Sequence, residues 1–583
     1  MNGVIALQEL NSASPARFAE LLEGIFEHSP WVAERAAGAR PFDSREDLHA
    51  ALDAVVAAAQ RHEQLELIRA HPELAGRAAV RNDLTPASTR EQLGAGLDAC
   101  SAQEFAQLQR LNAAYNARFG FPFILAVRGH SRATIIETLA RRLEHDVESE
   151  RSEALRQISR IAAFRLAGRV RVDPGAQIMA MHEHLASYSD DDGRLTCTYL
   201  STAHRDTAAA IRDWMLGAGL DASIDAIGNV VGRWHGDGAV AKTLITGSHY
   251  DTVIDAGRYD GRLGILLPVA CVVELRQRGV VLPFDLEIVA FADEEGVRFK
   301  STFLGSSALA GSFDPRLLDS VDHDGVTMRT AIADAGLDPA AIGALARDPS
   351  TLAGYVEVHI EQGPVLLDAG RPLGVVTAIA GSVRMLVAIE GQAGHAGTVP
   401  MALRRDAAAA GAEIVLAVER RCGGLPGLVG TVGRLDVPNG AINVIPGRCE
   451  LSIDIRAGDD AVRDAAVADV LAQIDAIAMR RKVRADIRRV LEAAAAPCAP
   501  ALQMQWSAAI TRTTGEADPL HLPSGAGHDA MKMATITPVG MLFVRCGNGG
   551  ISHHPDETLD AADAAAAANA FIDFLLHFEP VQQ

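Results

Sequence analysis

The chain has 583 residues, too many for one hydrophobic core, and ordinary domain sizes suggest roughly three or four units. Hydrophobic residues make up 48% and charged residues 22%, the mix of a globular protein. A net charge of −20 without any long basic run argues against nucleic acid and anionic membranes as partners. Anionic small molecules stay open, because a local arginine can outweigh the overall field.

Residues 1–168 read as all-helical. Leu48, Ala51, Leu52, Val55 and Val56 recur at helical spacing, and helical patterns continue over 102–117, 131–145 and 150–166. The run RLAGRVRVDPG that follows Phe164 places Gly and Pro close together and marks a boundary. From about 175 apolar runs such as Thr243–Thr246 and Leu286–Phe291 end in Gly- or acid-rich loops and alternate with helical segments at 205–219 and 264–278. This is the α/β pattern, in which chemistry gathers at the carboxyl ends of strands. Residues 381–493 read as an inserted α+β domain, with strand-like RMLVAIEG and CELSIDIR and helices at 405–420 and 460–480. The α/β domain therefore comprises 175–380 and 494–583, the last part holding a strand at 541–545 and an Ala-rich helix at 560–577.

Cys100, Cys197, Cys271, Cys422, Cys449, Cys498 and Cys546 are odd in number and widely spread, which suits free, mostly buried thiols in a reducing compartment. The start MNGVIALQELNSAS has no basic stretch followed by an apolar core. The most apolar stretch, Leu263–Leu275, is too short to span a bilayer and contains Gly264, Pro268 and Glu274. A cytoplasmic location is expected.

Five residues carry the main chemical signal: His249 and Asp260 in GSHYDTVIDAGRYDG, Glu295 in FADEEG, His359 in HIEQGP and His553 in GISHHP. Three imidazoles and two carboxylates are the set that a pair of divalent metals takes. Asp251, two residues after His249, is placed to hold that imidazole from behind. Glu294 is a spare carboxylate able to serve as general base toward an attacking water. The alternative, five unrelated polar loop residues, is weakened because each ends an apolar run beside glycine.

These motifs resemble, in the right order over about 175–583, the dinuclear-metal amidohydrolases of the aminoacylase and carboxypeptidase superfamily. Within it they look like the branch holding allantoate amidohydrolase, N-carbamoyl-amino-acid hydrolases and β-ureidopropionase. The resemblance implies two divalent ions per subunit, manganese or zinc, with Asp260 bridging. His249 and His359 would complete one site, Glu295 and His553 the other, and Glu294 would be the base. It also implies an inserted lid that forms a homodimer. His395 in GQAGHAGTVPM would reach the partner's active site, and Asn443 and Arg456 in GAINVIPGRCELSIDIR would grip a substrate carboxylate. Gln362 and His528 would be further substrate contacts. One departure is DAGRYDG, where Ala256-Gly257 stands in place of paired glycines, with an effect expected on loop shape.

The N-terminal motifs FEHSPWVAERA, AHPELAG, the Ser88–Gly96 stretch, LNAAYNARFGFPFI and Ile161–Leu166 say less by themselves. Ser88 and Glu91 fit a helix capping box, and FGFPF fits a core plug. The set nevertheless resembles, over nearly all of 1–168, 2-oxo-4-hydroxy-4-carboxy-5-ureidoimidazoline (OHCU) decarboxylase, an all-helical, cofactor-free enzyme of urate breakdown. That resemblance implies catalytic roles for His71, Glu91 and Arg165 and a pocket lined by Pro72, Ser88, Gln92 and the Phe121–Ile124 backbone. Arg165 could bind anionic substrate oxygens in a bidentate way.

The decarboxylase forms (S)-allantoin, so the hydrolase fused to it is expected to act on allantoate and to release ammonia and carbon dioxide. The alternative is an N-carbamoyl-L-amino-acid hydrolase or β-ureidopropionase activity behind a non-catalytic N-terminal scaffold.

Overall fold

A computed structural model describes residues 4–74 and 85–581; the last two residues of AHPELAG lie outside them. The N-terminal part is helical. Among its helices are α1 (Arg61–Ala70), α2 (Pro86–Gly94) and α3 (Val147–Arg169). α3 begins where the Asp146 carboxylate accepts from the Glu148 and Ser149 N–H groups, and acidic residues fill its first turn. The helix Ala102–Phe119 begins with a Ser101/Glu104 capping box and stops at Gly120, whose φ is +75°. Leu48, Leu52, Tyr115, Phe121, Phe123, Leu139 and Ile158 fill the core between these helices. The all-helical reading misses one feature. β1 (Ile5–Ala6) pairs in parallel with β2 (Val170–Arg171), stitching the start of the domain to its exit. Two residues are too few to leave a periodic signal.

The rest is built on a nine-stranded sheet. Its middle holds β3 (Thr243–His249), β4 (Asp285–Phe291), β5 (Leu352–Ile360) and β10 (Val539–Val544). β3 lies parallel to β4 and β5, and β10 lies parallel to β5. All four are buried almost throughout, as strands covered on both faces are. Helix α4 (Thr202–Gly217), α5 (Leu263–Gln277) and α6 (Ala561–Leu576) belong to this layer's packing, with Leu266, Val272, Phe571 and Phe574 in the shared core.

A separate four-stranded antiparallel sheet starts at Gly381 and ends at Ala493. Its spatial order is β7 (Leu428–Asp436), β8 (Arg448–Ala457), β6 (Gly381–Glu390), β9 (Arg484–Ala493). Val383, Met385, Val387 and Ile389 alternate inward and pack on the helices Ala407–Cys422 and Asp460–Arg481. Cys197, Cys271, Cys422, Cys449, Cys498 and Cys546 are buried free thiols. Among the described residues no helix is long and apolar enough to cross a membrane.

Candidate functional site

The parallel strands deliver the predicted ligand residues to one place. His249 ends β3, Glu294 and Glu295 follow β4, His359 lies near the end of β5, and His553 follows β10. Each leaves the carboxyl edge of the sheet, where diverging loops open a crevice. Asp260 sits just ahead of α5 and offers its two oxygens in opposite directions. Oδ1 lies 3.3 Å from His359 Nε2 and 3.9 Å from His249 Nε2. Oδ2 lies 2.9 Å from His553 Nε2, which is itself 3.2 Å from Glu295 Oε1. Donor atoms of His249, Asp260 and His359 fall within 4.8 Å of one another, as do those of Asp260, Glu295 and His553. A third such group joins His249, Glu294 and Glu295.

Local geometry fixes these side chains. The His249 Nδ1 atom lies 3.1 Å from the Asp251 carbonyl and 3.5 Å from its carboxylate. The same carboxylate accepts from the Glu294 and Glu295 backbone N–H groups at 3.0 and 3.1 Å, tying one ligand strand to the next. Gly261 has φ +66°, and a Cβ there would lie 2.5 Å from the His249 ring, so only glycine lets the chain turn beneath the imidazole. Glu557 accepts from the Tyr259 and Asp260 N–H groups at 2.8 and 3.2 Å and from Ser552 Oγ at 2.7 Å. The Gln362 amide donates to Asp260 Oδ1 at 3.0 Å.

The residues fit a pair of cations. His359 donates its Nδ1–H to the Ile360 carbonyl at 2.8 Å, which leaves Nε2 as an acceptor that takes the Gly261 N–H at 3.2 Å and also faces Asp260 Oδ1 at 3.3 Å. Burial lowers its pKa to about 4, so the ring is neutral and two acceptors confront each other, an arrangement that a cation resolves. Negative charge is in surplus here. Burial, then the Glu295 charge, push the Glu294 pKa well above the carboxylate range despite the opposing His249. Hydrogen bonds to Asp260 and Glu295 raise His553 to about 11. Beneath this layer the fully buried Glu357 accepts from Ser248, Tyr355 and the Ala530 N–H group. His528, also buried, stacks edge-on against His359 with ring centres 4.5 Å apart and pairs with Ser524 at 2.7 Å.

His395 and Asn443 are both exposed and are neighbours across a short strand pairing, His395 opposite Val444. Arg456 donates to Asp454 and, at 2.7 Å, to the Gly525 carbonyl in the loop that leads to His528.

A second cavity lies in the helical domain. His71, Pro72, Ser88, Glu91, Gln92, Ile124 and Arg165 line it, together with Phe123–Arg128, Ile161 and Phe164. Phe121 packs against Tyr115 in the aromatic core. His71 caps the end of α1, and its Nδ1–H donates to the Leu67 carbonyl at 3.0 Å. Nε2 is thereby a buried lone pair without a partner among the described residues. Burial lowers the His71 pKa, with Arg165 adding to the effect. The capping-box reading of Ser88 and Glu91 is overturned. Thr85 caps α2, so both residues lie inside the helix, and Glu91 reaches Arg165 at 2.8 and 2.9 Å. Arg165 also donates to Glu27 at 2.7 Å, to Ser88 and to the Gly24 carbonyl. Glu27 is 1% exposed and accepts from Thr85 and Ser88 as well. The sequence reading gave Glu27 no role. Its signal, an acid directly after the apolar pair Ile25-Phe26, is too common to single out.

Comparison with known proteins gives two family matches along the chain. The OHCU decarboxylase family matches residues 11–167, and peptidase family M20/M25/M40 matches residues 245–577. A probable allantoate deiminase of Oryza sativa subsp. japonica is 42% identical over 67% of this chain and 86% of its own length. The N-carbamoyl-L-amino acid amidohydrolase of Geobacillus stearothermophilus is 40% identical over 64% of this chain and 91% of its own. The crystal structure of a hydantoinase/carbamoylase family amidase from Burkholderia multivorans superimposes with a TM-score of 0.65 at 30% identity, over 70% of this chain and 98% of that one.

Proposed function

From the premise that the chain belongs to peptidase family M20/M25/M40 and carries an OHCU decarboxylase domain ahead of it, we propose a bifunctional enzyme of ureide breakdown. The helical domain converts OHCU to (S)-allantoin. The remainder hydrolyses allantoate to a ureidoglycine-type product, ammonia and carbon dioxide. The observation that carries the hydrolytic half is Asp260, with one oxygen turned to each ligand group. The choice of allantoate over other N-carbamoyl acids rests on the fusion.

His249, Asp260 and His359 would hold one divalent ion, and Asp260, Glu295 and His553 the other, manganese or zinc. When bound, such a pair supplies Lewis acidity and a water nucleophilic at neutral pH. Glu294, beside His249 and Glu295, takes the proton from the attacking water and returns it to the leaving nitrogen. Asp251 keeps the His249 ring in place, and Gln362 holds Asp260. Arg456 and Asn443 bind the substrate carboxylate. His395, exposed at the tip of the inserted domain, enters the active site of a second subunit. The apolar side chains of Met401, Leu403 and Ile442, all largely exposed on that domain, and the unpaired edge of β7 support a homodimer formed through it.

In the helical domain the electron pair of the breaking bond to carbon dioxide passes into the conjugated ring of the substrate. His71 Nε2 accepts the hydroxyl proton, and protonation of the ring carbon that received the electron pair completes (S)-allantoin. Arg165, held by Glu27 and Glu91, sets the polar floor of the cavity and keeps Ser88 in position.

Ammonia release from allantoate and from N-carbamoyl-β-alanine by manganese-loaded protein tests the substrate. Fast turnover of allantoate alone supports the reading; preference for the carbamoyl amino acid overturns it and leaves the dinuclear site standing.

A further inference from the structure

The two halves share more than a linker. The last turn of α4 belongs to the hydrolase half, yet Leu216 is 4% exposed and packs within the core of the helical domain. Around it the pocket wall is fastened from outside. Arg128, which lines the cavity, donates Nη1 to the Leu216 and Gly217 carbonyls at 3.2 and 3.1 Å. These are terminal carbonyls of α4, where a cation is also favoured by the helix dipole. Arg160, on α3, makes a bidentate pair with Asp213 of α4, both bonds 2.9 Å. The guanidinium carbons of Arg128 and Arg160 lie 5.3 and 5.9 Å from the ring centre of Phe164, a cavity residue next to Arg165. A Cβ on Gly217 would stand 3.3 Å from Cδ1 of that ring. A third anchor comes from α5, whose Gln277 amide donates to the Ala167 and Val170 carbonyls at the end of α3, at 2.8 and 3.2 Å.

We propose that the C-terminal turn of α4 buttresses the wall of the decarboxylase pocket from behind, with Asp213, Leu216 and Gly217 acting as positioning residues for the lining residues Arg128 and Phe164. The proposal rests on the decarboxylase reading of that pocket. It makes the decarboxylase site incomplete without a helix of the hydrolase. The arrangement passes no substrate between the sites; it sets the shape and charge of one pocket from the other domain.

The test uses the full-length, metal-loaded protein with both activities measured on each variant. Gly217→Ala favours the helix but presses on Phe164. It is expected to raise the KM for OHCU about tenfold, since displacements of a fraction of an ångström at a reacting site cost that much, with allantoate hydrolysis and thermal stability unchanged. Asp213→Asn is expected to lower decarboxylase kcat/KM by a similar factor, and Asp213→Glu, which keeps a carboxylate for Arg160, to recover most of it. Decarboxylase constants within twofold of the parent in both Gly217→Ala and Asp213→Asn would overturn the proposal. So would a parallel fall in both activities, which would make α4 a prop for the whole chain. An unsubstituted protein inactive on OHCU would instead sink the decarboxylase reading itself.

Discussion

A Cβ placed on Gly257 would stand 2.2 Å from the carboxyl carbon of Glu557. That carboxylate accepts from the backbone of Tyr259 and Asp260, so the glycine makes room for the group that holds Asp260 in place. Gly257→Ala is expected to displace Glu557 and loosen Asp260. Metal affinity and allantoate turnover should fall about 10- to 100-fold, the usual cost of losing a group that supports a ligand. Metal content per subunit and ammonia release measure this; full metal occupancy at parental activity would refute it.

Glu294→Gln keeps the shape of the side chain and removes its capacity to take a proton. Turnover should drop by about 10²- to 10⁴-fold, the range for a lost general base, while metal content stays at the parental level. A variant that retains turnover removes Glu294 from the role of base. A variant that loses metal makes it a ligand, a possibility raised by its place beside His249 and Glu295.

A chelator separates the two activities. Dialysis against EDTA should abolish allantoate hydrolysis, which returns on adding manganese or zinc, and should leave decarboxylation of OHCU unchanged, because among the described residues the pocket around His71 gathers one imidazole with Glu91 and Arg165 and no second imidazole. Loss of both activities would contradict the cofactor-free reading of the helical domain.

His71 gives a pH dependence with a definite sign. Burial lowers its pKa in the folded protein below the ordinary value of about 6.5. Between the two values the unfolded chain binds a proton that the folded one refuses, so this group's contribution to stability is complete above about pH 6.5 and is lost as pH falls through that window. His71→Asn removes the effect. In denaturant titrations of the two proteins, the stability difference should be constant from pH 7 to 8 and move in favour of the variant as the pH drops below 6.5. A difference that is flat throughout would mean that His71 titrates normally. Decarboxylation by the parent should likewise persist below pH 6.5, since the lone pair on Nε2 survives there.

The convergence of His249, Glu295 and His359 was legible because each lies at or just past the end of a parallel strand, and parallel strands bring their carboxyl ends together whatever their separation in sequence. Asp251 was legible for a related reason, lying two residues past a ligand on an extended segment. Glu557 and Gly257 were not, since their bond to the site is a contact between loops distant in the chain. Ser88 and Glu91 were misread by local spacing; Thr85 captures the helix start, and Arg165, reaching over from α3, draws Glu91 inward. Glu27 stayed hidden because an acid in an apolar stretch declares itself only when its partner is known. The grip of α4 on Arg128 left no trace in sequence, being made by backbone carbonyls that any residue supplies.

The spread of the metal residues also sets an order of events during synthesis. His71, Glu91 and Arg165 have all emerged before the first strand of the hydrolase sheet is made, and domains generally fold as they leave the ribosome. The dinuclear centre has to wait for His553, which lies in the last stretch of the chain, beyond the whole inserted domain. During that interval His249, Asp260, Glu295 and His359 are already present without their last companion. Metal supplied while the chain is still growing meets a half-built nest of carboxylates, and metal supplied after release meets the finished one.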